Sequence, residues 1–82
     1  MPKYCVNKKV QPNGDHEIHK YSCDWLPEEE NRQYLGIFDN CADAVRQAKK
    51  YFAQSNGCYY CSRECHTVLV RSSSGKLFFC FV

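Results

Sequence analysis

The sequence predicts an α+β fold: a small antiparallel sheet, built from an N-terminal hairpin and further short strands, carrying one amphipathic helix and stapled by a metal ion. Three observations lead there. Turn residues Asn13-Gly14 separate two runs with strand character, and Asn-Gly favours a tight hairpin because both residues tolerate positive φ. Cys41, Ala44, Val45, Ala48 and Phe52 fall at i, i+3, i+4, i+7 and i+11, a single apolar stripe on a helix. Finally, 82 residues with seven cysteines make a chain too short to be held comfortably by an apolar core alone.

Residues 3–10 and 15–20 read as the first two strands. In the second, His16 and Ile18 share one face, while Glu17 and His19 share the other. Residues 21–33 form a loop, broken by Leu26-Pro27 and solvated by Glu28-Glu29-Glu30. Residues 34–38 read as a third, buried strand. The helix is predicted from Cys41 to about Gln54, with Asn40 as N-cap and Asp43 reaching back to it. Asn56-Gly57 is predicted to end it, Gly57 taking a left-handed cap conformation. A cysteine-rich knuckle, 58–66, precedes a last hairpin formed by 67–71 and 76–82. The organisation is one domain over 1–82, with a core of 3–67 and the C-terminal hairpin 67–82.

Composition narrows the function. A formal charge of +2 is too small to indicate nucleic acid by itself. The C-terminal run Leu77 to Val82 is far shorter than the ~20 residues of a membrane span, so no membrane role is expected. The segment Met1 to Val6 has no apolar run or cleavage site like those of a signal peptide. The expected location is therefore cytoplasmic, a reducing compartment where disulfides are rare. An odd number of cysteines also fits metal binding better than a disulfide framework. The redox states of Cys5 and Cys80 stay open.

The strongest chemical signal is Cys58-x-x-Cys61, a spacing that lets both thiolates face one ion while the backbone turns over it. His19-x-x-x-Cys23 supplies a second pair, and 34 residues separate the two pairs. A tetrahedral Zn2+ ion takes four nitrogen or sulfur ligands, so His19, Cys23, Cys58 and Cys61 would form one closed structural site. One histidine with three cysteines favours zinc over iron. Cys65 and His66 are alternate ligands. His16 lies on the wrong strand face, though His16 or Glu17 could support the liganding histidine from outside. Cys41, in the first helical turn, is a candidate reactive thiol, opposed by its place on the apolar stripe. A catalytic metal site would use Glu17 or Glu64 as base, but a ready fourth ligand leaves no open position.

Residues 14–67 resemble a family of short bacterial proteins of uncharacterised function. The shared pattern is Gly14-Asp15-His16-Glu17-Ile18-His19, Cys23, Leu26-Pro27, Leu35-Gly36, Cys41, Gly57-Cys58, Cys61 and Cys65-His66-Thr67. More distantly, His19, Cys23, Cys58 and Cys61 are similar in arrangement to the ligands of the Ada-type zinc domain. That resemblance implies a β-hairpin followed by helix and knuckle, and a thiol that accepts alkyl groups. The matching first ligand here is His19 rather than a cysteine, which speaks against acceptor chemistry at that position. Residues 68–82 match neither pattern.

The expected function is a non-enzymatic binding or adaptor module around one structural zinc ion, with a protein or nucleic acid as partner. For nucleic acid, Lys3, Lys8, Lys9, Lys20, Arg46, Lys49 and Lys50, with Tyr4, Tyr21, Tyr59 and Tyr60, would form the surface. The alternative is thiol chemistry, an alkyl acceptor or redox switch using Cys41 or Cys65. Leu77, Phe78, Phe79, Phe81 and Val82 are apolar on both strand faces, which suggests a homodimer through the last hairpin.

Overall fold

A computed structural model describes residues 1–71 and 77–81 of the protein, with side chains for 1–67. Four strands form a mixed sheet in the order β3-β1-β2-β4: β1 is Lys3–Asn7, β2 His16–Lys20, β3 Arg32–Ile37 and β4 Ser55–Gly57. One α-helix among the described residues, α1 (Cys41–Ala48), packs on one face, so the class is α+β as predicted. A separate two-stranded sheet pairs β5 (Thr67–Arg71) with β6 (Leu77–Phe81). The side chains expected to form a dimer contact there, together with Cys80, lie outside the described residues. Among the described residues, no helix is long and apolar enough to cross a membrane.

β1 is an inner strand covered on both faces, which is why Tyr4, Cys5 and Val6 are buried in succession. Tyr4 and Val6 join Ile18, Leu35, Ala44 and Ala48 in the core between sheet and helix. The small alanines on α1 let it sit close to the sheet. Cys5 points to the other face, opposite His19 across the β1–β2 pair. That second face is where the chemistry lies.

The turn joining β1 to β2 is centred where the sequence places it, but the first strand ends at Asn7, short of residue 10. Gly14 donates to the Gln11 carbonyl at 2.8 Å and takes a φ of 93°, while among the described residues none other than glycine has positive φ. The N-cap of α1 is as predicted: Asp43 N–H donates to Asn40 Oδ1 at 2.9 Å.

Two expectations need correction. The helix stops at Ala48 instead of Gln54. Residues 49–54 turn the chain back, and Phe52 swings in to stack on His16, ring centroids 4.0 Å apart. Residues 55–57, read as helix end and cap, are a strand lying parallel to β2, which makes the sheet mixed rather than antiparallel. Gly57 is not a left-handed cap, for among the described residues only Gly14 and Gly36 have positive φ. It is needed for space: a Cβ there would lie 2.7 Å from the Ser62 carbonyl oxygen and 2.8 Å from Cys65 Cβ.

Candidate metal centre

The parallel β2–β4 pair brings the two ligand pairs together. Its register sets Ile18 beside Gly57, so the next residues, His19 and Cys58, emerge at the same end of the sheet. Cys58 N–H donates to the Ile18 carbonyl at 2.9 Å and extends that pairing to the ligand itself. Each half-site then closes with a tight turn. Cys23 N–H donates to the Lys20 carbonyl at 3.0 Å, and Ser62 N–H to the Cys58 carbonyl at 2.9 Å.

The result is a cluster in which the ligand atoms of His19, Cys23, Cys58 and Cys61 all lie within 4.8 Å of one another. These are the four residues singled out from spacing, and they could hold one metal ion. Cys23 Sγ and Cys58 Sγ are 3.9 Å apart. A tetrahedron with metal–sulfur bonds of about 2.3 Å has edges of about 3.8 Å, so that separation suits a four-coordinate ion. His19 and Cys58 are buried, while Cys23 and Cys61 are half-buried.

One atom tests the fit directly. His19 Nδ1 is buried and has no hydrogen-bond partner among the described residues. A buried polar nitrogen without a partner is costly, and a metal ion is a partner that would satisfy it. Backbone donors already serve the sulfurs: Lys20 N–H donates to Cys61 Sγ at 3.3 Å and Trp25 N–H to Cys23 Sγ at 3.4 Å. Such donors favour thiolate over thiol.

The electrostatics without an ion are uneven. Burial alone would raise the Cys61 thiol, but the neighbouring His19 ring first, then the Lys20 amide, Ser62 and Cys23, pull it down to about 6. Burial pushes Cys23 up to about 12, against the opposing Trp25 amide and reinforced by Cys61. Cys58 is also raised, by burial first and then by the Cys61 charge, although the Cys61 and Tyr60 amides oppose this. One thiolate thus forms readily and the next two are resisted, since like charges held this close repel. A dication would remove that conflict.

The other candidates lie elsewhere. Cys65, named as an alternate ligand, is joined to Cys41 in a disulfide. This bond also engages the Cys41 thiol, which is buried in the core as the apolar stripe implied. His66 turns its Nδ1 to the Gly57 carbonyl at 2.8 Å, and His16 turns its Nδ1 to the Asn7 carbonyl at 2.9 Å. The expected set of aromatic residues for nucleic acid is also altered, because Tyr4 is buried in the core.

Spacing missed two features. Asp15, buried, accepts from Asn13, Gln54 and Asn56 side chains at 3.1, 2.7 and 3.0 Å. Asn56 in turn accepts from Thr67 N–H at 2.9 Å and donates to its carbonyl at 2.7 Å. These bonds fix β4, and hence Cys58, against the start of β2. The second feature is an aromatic shelf on the ligand loops. Trp25 and Tyr60 stack at 5.2 Å although 62% and 67% exposed. Arg63 lies 4.7 Å over the Tyr59 ring beside them. A cavity of about 230 Å³ is lined by Cys23, Trp25, Tyr60 and Cys61. Another cavity, about 870 Å³, lies between α1 and β4 and is lined by none of the four ligands.

No protein-family model, curated protein or solved structure matches the chain.

Proposed function

We propose that the protein is a small binding module built around one structural zinc ion held by His19, Cys23, Cys58 and Cys61. The observation that carries this reading is the set of four ligand atoms within 4.8 Å, beside a buried His19 Nδ1 that has no hydrogen-bond partner among the described residues. Three sulfurs and one imidazole nitrogen are a donor set that suits zinc. With all four positions filled by protein, the ion would hold structure and have no place for substrate. The similarity of His19, Cys23, Cys58 and Cys61 to the ligand arrangement of the Ada-type domain favours a metal but leaves the role open.

The aromatic shelf is the surface such a module would present. Trp25 follows Cys23 by two residues, and Tyr59 and Tyr60 sit between Cys58 and Cys61. An ion that fixes these loops would fix the shelf as well. Large aromatic and arginine side chains held ready in this way are typical anchors for a protein partner. Nucleic acid is a second reading, favoured by Arg63 over Tyr59 next to an exposed ring pair on which a base could stack. A salt series separates the two, because phosphate contacts weaken steeply as salt rises. The alkyl-acceptor reading loses both of its thiols to the Cys41–Cys65 disulfide.

The test is metal analysis of reduced protein purified without added metal, followed by chelation while structure is monitored. About one zinc ion per chain and unfolding on chelation are expected. Metal-free protein with unchanged structure would overturn the proposal.

A further inference from the structure

We infer that Glu17 is a positioning residue of the metal centre: its carboxylate holds His19 Nε2–H, so that Nδ1 is the nitrogen presented to the ion. This rests on the metal reading above and extends it to a residue that is not itself a ligand.

Glu17 and His19 are two apart on β2 and therefore share a strand face. Glu17 Oε1 lies 3.5 Å from His19 Nε2, and this is the polar side-chain contact the structure gives Glu17. The Glu17 side chain is 18% exposed and that of His19 2%, so the pair is largely shielded from water. Nδ1 of the same ring is buried with no partner.

These facts fit a single tautomer. A neutral imidazole carries one N–H and one lone pair. If the proton sits on Nε2, it faces the Glu17 carboxylate, and the lone pair falls on Nδ1. If it sits on Nδ1, a buried donor has no hydrogen-bond partner among the described residues, and Nε2 turns a lone pair toward a carboxylate. The first arrangement satisfies both nitrogens once an ion is present, and the second satisfies neither. The carboxylate also makes the ring a better donor to a cation, as outer partners of liganding histidines commonly do. Asn56, the residue beside Glu17 across the β2–β4 pair, is occupied with Asp15 and Thr67 and does not compete for the carboxylate.

The experiment uses the full chain and zinc itself. Affinity is read by competition with a chromophoric chelator for wild type, Glu17→Ala and Glu17→Gln. In parallel, nitrogen-15 NMR of the loaded wild type reports which ring nitrogen of His19 is metal-bound. The expected result is Nδ1 coordination, with affinity falling roughly 10- to 100-fold in Glu17→Ala. Glu17→Gln, whose amide oxygen still accepts, should keep most of it. Nε2 coordination, or Glu17→Ala within about twofold of wild type, overturns the role of Glu17 and leaves the metal centre standing. Wild type that takes up no zinc overturns the metal centre and the role of Glu17 with it.

Discussion

Gly57 faces Ile18 across a parallel pair of strands, and the residue after each is a predicted ligand, Cys58 and His19. The site therefore depends on a pairing only three residues long. Gly57 has the knuckle folded directly over its Cα, with the Ser62 carbonyl oxygen 2.7 Å from where a Cβ would lie. Gly57→Ala should destabilise the protein by about 1–3 kcal/mol, the usual cost of overpacking against atoms that cannot yield. Urea unfolding of the metal-loaded variant measures this, and an unchanged midpoint would show that the knuckle can shift.

Trp25 is the single tryptophan of the chain and stacks on Tyr60, so it reports on the meeting of the two ligand loops. Removing the ion should change its fluorescence reversibly, and Cys58→Ser should abolish the response to added zinc. If emission is the same with and without metal, the shelf is held by packing alone.

Cys41 and Cys65 close a loop of 24 residues. In the chain-entropy account such a link is worth about 3 kcal/mol. Reductant should lower the urea midpoint of wild type by a corresponding amount, and a Cys41→Ser, Cys65→Ser double variant should show no such sensitivity. A reductant effect equal in both proteins would place it at other cysteines.

Cys5, fully buried, has its thiol pushed up to about 11, by burial first, with Arg32 opposing and Cys61 adding. A raised value means that folding favours the neutral thiol. The stability this gives is complete below about pH 9, the ordinary range of the group, and is lost as pH rises toward 11. The expected loss is about 3 kcal/mol. Cys5→Ala should be less stable near neutrality but show a flatter decline between pH 9 and 11. Parallel pH curves for the two proteins would count against the assignment.

Much of the metal centre was legible because its signal is local. A Cys-x-x-Cys turn and a His-x-x-x-Cys pair are fixed by chain geometry within a few residues, and the fold had only to bring them together. The N-cap at Asn40 was legible for the same reason. What escaped was decided at a distance. Ser55-Asn56-Gly57 has little strand propensity, and it pairs because Asp15, 41 residues away from Asn56, holds it there. The end of α1 at Ala48 follows from that pairing, since the chain must turn early to reach β2. Gly57 was correctly singled out but for the wrong reason: a cap needs positive φ, whereas this glycine leaves room. The Cys41–Cys65 bond went unread because the argument from compartment set disulfides aside.

The two cross-links also have a topology. Along the chain the order is Cys23, Cys41, Cys58, Cys65; a metal ion held at the cluster would bridge the first and third, and the disulfide joins the second and fourth. The links are interleaved, neither nested nor consecutive, as in a pseudoknot. Closing either one shortens the excursion left to the other, so their entropic costs are less than additive. With a metal bound at the cluster, whichever link formed first would lower the entropic cost of the second.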